Sequence, residues 1–189
     1  MLHYKLDGPR GGAGENILTN SSGYLGTTNW SGLVTVGTNE DTPYLIAKRT
    51  DTTSSSRTFC THTAITSLVS DWTPGTTKFT ISGYYKIPSS ETYAVAANMF
   101  IRWGASSGTS DTGFSVATTS TKDIWTYFKK TFTVPSSYTS GQAVNFYLSA
   151  FSTGLATIYW KYIKLEIGEN ATAWTPTDNE MGDIDTTLV

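Results

Sequence analysis

Two apolar runs carry side chains of a mixed kind at every second position. Residues 95–103 hold Asn98, Phe100 and Arg102 in this rhythm, and residues 143–151 hold Asn145, Tyr147, Ser149 and Phe151. Aromatic rings offer flat faces to the apolar C–H surface of a pyranose, while amide and guanidinium groups make planar, paired hydrogen bonds to its hydroxyls. Trp160 and Tyr162, in residues 157–167, are equally aromatic, so the residues alone do not choose between the two groups. Catalysis finds less material. The two histidines are His3 and His62, and His62 is expected to be a satisfied structural residue. No G-x-S-x-G, H-E-x-x-H, phosphate-loop or dinucleotide motif occurs. Asp71, Glu91, Asp111 and Asp123 fall in predicted turns, and Glu166 is expected to point outward from a strand into solvent. A glycosidase needs two carboxylates flanking one bond, and the spacing shows no such pair. The chain is therefore expected not to be an enzyme.

Short strands must hold these side chains. Runs at residues 17–18, 33–36, 44–48, 57–65, 78–87, 95–103, 125–134, 143–151 and 157–167 are separated by Ser, Thr, Asn, Asp, Gly and Pro clusters. No segment sustains a 3.6-residue period, so these nine strands predict an all-β sandwich or jelly roll of two antiparallel sheets. Alternation assigns Val144, Phe146 and Leu148 to the core, with Val95, Ala97, Met99 and Ile101. Phe128, Phe132 and Val134 belong with them, which leaves Tyr127 and Lys129 pointing away, and so do Ile163, Leu165 and Ile167, which leaves Trp160, Tyr162, Lys164 and Glu166 outward. A one-residue bulge inverts any such assignment beyond it. Trp103, at a strand end before a Gly/Ser loop, is expected to form a platform at a groove edge. Trp30, Trp72, Trp125 and Trp174 are expected to pack in the core or at strand ends.

The 189 residues suit one domain, and the bulk numbers remove several partners. With 15% charged residues and a formal net charge of −2, the chain offers no basic surface to nucleic acid. Its apolar runs are far shorter than the about 18 residues of a membrane span, so no membrane insertion is expected. Cys60 is the one cysteine, which excludes an internal disulfide and a cysteine zinc site and predicts a buried thiol. Gly8, Pro9, Gly11, Gly12 and Gly14 make residues 1–15 a Gly-rich lead-in or linker without a signal-peptide core. One Gly-Pro-Arg triplet does not establish a collagen period. The folded unit is expected over residues 16–176, followed by a tail at 177–189.

The closing run IKLEIGENATAWTP (residues 163–176) and the opening NILTNSS (residues 16–22) resemble the ends of carbohydrate-binding-module-like jelly rolls. The modules in question belong to tail and baseplate proteins of bacteriophages of Gram-positive hosts and are similar to xylan- and glucan-binding modules. Between those ends the signals keep the same order: Asn29-Trp30, Pro74-Gly75 before KFTISGYYK, Ile124-Trp125 before TYFKKTFTVP, then AVNFYLSAF. The resemblance implies a glycan lying across a concave sheet built from the strands near residues 33, 57, 95 and 143. This choice selects Asn98, Phe100, Arg102, Trp103, Asn145, Tyr147 and Ser149 as the binding residues over Trp160 and Tyr162.

The same resemblance implies a non-catalytic domain that binds bacterial cell-wall polysaccharide during adsorption. Its expected partners are that glycan and other tail or baseplate chains, and its expected place is the virion, after synthesis in the host cytoplasm. Such modules often carry an acidic residue on the strand before the last, where this chain has none and Asn145 or Ser149 stands in. They need no cofactor, although many hold a structural calcium near the chain ends, for which Glu15, Asp71 and Glu166 are the oxygen ligands at hand. Two rival readings are a spacer or oligomerisation domain of a tail fibre, and an accessory binding domain of a cell-wall hydrolase.

Overall fold

Apolar residues at every second position oblige a strand to bury one face, and two such sheets satisfy each other by packing together. The computed structural model describes residues 14–32, 34–49, 58–62, 65–91, 96–104, 111–116, 122–151 and 156–175. Its strands are β1 Trp30–Gly32, β2 Val34–Gly37, β3 Tyr44–Arg49, β4 Thr58–His62 and β5 Lys78–Lys86. The chain continues with β6 Ala96–Trp103, β7 Asp111–Val116, β8 Thr126–Thr133, β9 Val144–Phe151 and β10 Ala156–Ile167. They form two five-stranded sheets, β1-β4-β9-β6-β7 and β2-β3-β10-β5-β8. Every strand pair is antiparallel, so the domain is the expected jelly-roll β-sandwich. Residues 1–13 of the expected lead-in and the tail at 177–189 lie outside the described residues, as do Leu33, Arg57 and Val95.

Val144, Phe146, Leu148, Met99 and Ile101 are buried between the sheets with Phe79, Ile81, Phe128 and Val134, as alternation requires. Cys60 is also buried there, and burial pushes its thiol up to about 12. Three strand assignments change. Residues 17–18 form no strand. The strand expected near residue 33 beside those near 57, 95 and 143 is β2, which lies in the second sheet, and the edge of the first sheet is β1, Trp30–Gly32, instead. The segment read as a polar loop before residue 113 contains the start of β7, an edge strand whose polar side chains hide the alternation signal.

The largest correction lies in β10. Its register against β5 shifts between Lys161 and Lys164, and Tyr162 there has φ +54°, a backbone that costs a bulky residue about 1–2 kcal/mol. Beyond the bulge parity reverses. Trp160 is fully buried, on the same side as Ile158 before it and as Ile163 and Leu165 after it. Tyr162 keeps its expected outward direction, but Lys164 and Glu166, expected in solvent, are both buried.

The NILTNSS segment explains why the bulge is tolerated. β3 pairs with β10 only as far as Trp160, and residues 16–22 take over its edge from there. Ile17 N–H donates to Leu165 O (2.8 Å), Ile163 N–H to Ser21 O (3.2 Å) and Tyr162 N–H to Ser22 Oγ (3.3 Å). Asn16 accepts from Leu165 N–H (3.1 Å) and donates to Ile163 O (3.1 Å). Backbone groups that a bulge leaves unpaired are therefore satisfied by an amide side chain and a non-strand backbone.

Candidate functional site

Antiparallel register decides which of the chosen residues share a face. Across the first sheet Gly113, Phe100, Tyr147, Thr61 and Ser31 stand in one row, with Asp111, Arg102 and Asn145 in the row on one side. Ser115, Asn98 and Ser149 make the row on the other side. Six of the seven expected residues therefore lie on one outward face. Phe100 and Tyr147 stack at 4.8 Å with an interplanar angle of 16°, and the Arg102 guanidinium lies 5.6 Å from the first ring centroid and 5.3 Å from the second. Gly113 is required beside them, since a Cβ there would sit 2.3 Å from Phe100 Cβ and 2.2 Å from Met99 O.

Arg102 is held in plane by a bidentate pair, Nε to Asp111 Oδ1 (3.0 Å) and Nη2 to Asp111 Oδ2 (3.1 Å). These hydrogen bonds raise its pKa above the ordinary arginine value, against the opposing effect of burial. Asp111 was assigned to a turn, yet it supplies this face with the carboxylate that β9 lacks. Tyr147 and Asn145 are half-buried, whereas Phe100 is only 3% exposed and acts as backing for Tyr147. Beyond Tyr147 the row falls to the short side chains of Thr61 and Ser31, which form a low shelf beside the tyrosine ring.

The deeper members are packed rather than presented. Asn98 is buried and accepts a hydrogen bond from Ser115 Oγ, and Ser149 is fully buried with no hydrogen-bond partner for its Oγ among the described residues. Trp103 departs from its expected role as a platform. Position 103 has the parity of Met99 and Ile101, so the same alternation sends its ring inward, where it is 2% exposed against Trp72, Phe79 and Tyr138. Its Nε1–H donates to Thr112 Oγ1 (3.0 Å). His62 is structural, with Nε2–H on Thr19 O (2.9 Å) and its ring edge-on to Trp30.

The outer face of the second sheet holds Trp125 and Trp174, expected to pack in the core or at strand ends, beside the outward Tyr127 and Tyr162. An open groove of about 620 Å³ is lined by Tyr84, Trp125, Tyr127, Lys161, Tyr162 and Trp174, among others, and Tyr127 is 51% exposed. Beside it Glu40 accepts hydrogen bonds from Lys86 and from Trp125 Nε1–H (2.8 Å), with Lys161 Nζ at 3.7 Å. Burial disfavours the charged form of Glu40, but these hydrogen bonds and both lysines outweigh it and hold its carboxyl below the ordinary 4.5. A lowered folded pKa contributes stability above the ordinary value and loses it as pH falls through the folded one. The Glu40→Gln variant is therefore expected to be less stable than the parent at neutral pH, with the gap closing in acid. Thermal unfolding of both proteins from about pH 7 to pH 3 measures this, and a gap that does not change with pH contradicts it.

Among the described residues no three of His, Cys, Asp and Glu cluster to hold a metal. Glu15 and Asp71 do not join Glu166, whose oxygens accept from Thr172 N–H (2.9 Å) and Thr172 Oγ1–H (2.8 Å) beside the Lys164 ammonium at 3.6 Å. The positive charge at that carboxylate is a lysine, so these residues do not fit the calcium expected of them. Among the described residues no helix is long and apolar enough to cross a membrane.

The sequence matches no protein-family model and no curated protein. Solved structures resemble the fold. An arabinose-bound α-L-arabinofuranosidase, MgGH51, aligns at TM-score 0.61 and 15% identity over 92% of this chain and 28% of its own. The CBM22-1 xylan-binding domain of Paenibacillus barcinonensis Xyn10C aligns at 0.55 and 18% over 84% of this chain and 98% of its own. The enzymatically active domain of Bacteriophage CBA120 tailspike protein 4 aligns at 0.55 and 16% over 81% of this chain and 21% of its own. At these identities the likeness establishes a shared architecture, that of carbohydrate-binding-module jelly rolls.

Proposed function

We propose that this domain binds carbohydrate without transforming it, and that it serves adsorption of a phage particle to the polysaccharide of a bacterial cell wall. The observation that carries the reading is the stack of Phe100 and Tyr147 under the Asp111-clamped Arg102, with Asn145 beside it in register. Tyr147 offers a ring beside a low shelf, and the row of Asp111, Arg102 and Asn145 offers acceptors and donors at strand spacing, which is what a pyranose in a shallow groove needs. A likeness in fold to a xylan-binding domain and to a phage tailspike domain supports the choice of ligand class and of setting.

A shallow site of this size binds weakly, so the proposal places many copies on one virion alongside other tail or baseplate chains. Linked sites then raise avidity by about two to four orders of magnitude. The test is labelling of intact Gram-positive cells by a fluorescent, multivalent form of the protein, before and after the wall polysaccharide is stripped. Labelling is expected to depend on the polysaccharide, and both Tyr147→Ala and Arg102→Ala are expected to weaken it by about tenfold while remaining folded. If the folded parent labels no cells, or stripped cells label equally, the proposal fails.

A further inference from the structure

The groove on the second sheet exists because of two features that oppose ordinary strand design. The bulge in β10 leaves two consecutive side chains, Lys161 and Tyr162, half-exposed at the groove, where regular alternation would bury one of them. The buried Lys164 and Glu166 then fasten the segment 171–174 over the sheet. Glu166 holds Thr172, and Lys164 Nζ donates to Ala173 O (2.8 Å) and to Thr172 Oγ1. Trp174 is fixed by its Nε1–H on Ser21 Oγ (2.9 Å) and becomes the wall facing Tyr162.

The result is a continuous aromatic strip. Tyr127 and Tyr84 lie 5.3 Å apart, Tyr84 and Tyr162 6.2 Å, Tyr162 and Trp174 4.7 Å, and Trp174 and Tyr24 6.2 Å between centroids. Among the described residues Lys161 is the one charged side chain lining this groove, its ammonium 4.3 Å from the Trp125 ring centroid and 5.5 Å from that of Tyr162. Its nearest counter-charge, Glu40, is already engaged by Lys86, so two ammonium groups share one carboxylate. Asp41 and Asp123 line not the groove but the adjoining basin, which they share with Glu40, Lys86 and Lys161. The groove therefore joins ring-stacking surfaces to one ammonium group, that of Lys161, at one end.

We propose that this groove is a second carbohydrate site, for an acidic glycan whose pyranose rings lie along Tyr127, Tyr162 and Trp174 and whose uronate carboxylate meets Lys161. Charge complementarity selects an anionic polymer over a neutral one. A polyol phosphate carries the charge but lacks the apolar ring faces that the aromatic strip would cover, so the occupant is a uronate-containing polysaccharide. The inference rests on the carbohydrate-binding reading only for the kind of polymer; the face, the residues and the charge requirement are its own.

The experiment is calorimetric titration of the whole chain with a short oligogalacturonide, a xylo-oligosaccharide of equal length and a polyglycerol phosphate, at low and at physiological salt. The oligogalacturonide is expected to bind, to weaken as salt rises, and to lose about tenfold or more in affinity in Lys161→Gln and in Tyr127→Ala. Tyr147→Ala, on the other sheet, is expected to leave that affinity within about twofold. Folded Lys161→Gln and Tyr127→Ala proteins that bind as the parent does overturn the proposal. So do equal binding of polyglycerol phosphate, absence of oligogalacturonide binding, and self-association that Tyr127→Ala abolishes without any uronide binding. Cell labelling that fails while uronide binding persists removes the first-sheet reading and leaves this one standing; the reverse pattern does the opposite.

Discussion

Replacing Lys164 by methionine is expected to destabilise the domain by about 3–5 kcal/mol, because it leaves the Glu166 carboxylate buried without its cation. Both side chains of the pair are 1% exposed, so water cannot take over the role of the lost ammonium. The bonds from Lys164 to Thr172 and Ala173 vanish with it, and the strap carrying Trp174 loosens from the sheet. The double variant Lys164→Met/Glu166→Leu is expected to recover much of the loss, since two apolar side chains bring no unpaired charge. Denaturant unfolding of the three proteins reads this directly, with tryptophan fluorescence reporting on the strap. A Lys164→Met protein within about 1 kcal/mol of the parent means that the pair is hydrated and contributes little.

Trp103→Ala is the second large effect, expected at about 3–5 kcal/mol. The ring fills the space between Trp72, Phe79 and Tyr138, and its removal opens a cavity that a stiff sandwich closes only in part. Tyr147→Ala supplies the contrast. Its half-exposed ring is expected to cost about 1–2 kcal/mol in stability and most of the glycan binding on the first sheet. The comparison separates packing from presentation, because a groove-edge platform at Trp103 predicts the reverse order. Guanidinium unfolding and cell labelling on both variants decide between them.

Two-residue alternation gave the shared face of Asn98, Phe100, Arg102, Asn145, Tyr147 and Ser149, because they lie in strands without irregularity, whereas the choice of that face as a site came from the family resemblance. Their partners were less so. Asp111 belongs to an edge strand whose residues, Asp111-Thr112-Gly113 at its start, look like a turn because one face of an edge strand needs little apolar area. Trp103 was misplaced although its parity with Ile101 was available, since strand-end position suggested exposure more strongly than alternation suggested burial. The second groove was hidden for a different reason. Tyr127 was placed outward, but Trp125 and Trp174 were assigned to packing by residue type, which cannot tell a core ring from one lining an open face.

By itself the sequence determined a single all-β sandwich, the direction of most side chains ahead of any bulge, and the absence of recognisable catalytic motifs. These follow from local periodicity and from residue inventory, and neither depends on what lies across the sheet. Only the tertiary structure decided the direction of Trp160, Lys164 and Glu166, the meeting of Arg102 with Asp111, and the walls of the groove beside Lys161. Each of these depends on a long-range pairing: β10 can bulge because residues 16–22 satisfy its freed backbone, and Trp174 forms a wall because a buried ion pair holds its strap. A bulge changes which side of the sheet every later residue faces, and its stability is set by partners more than a hundred residues away in the chain.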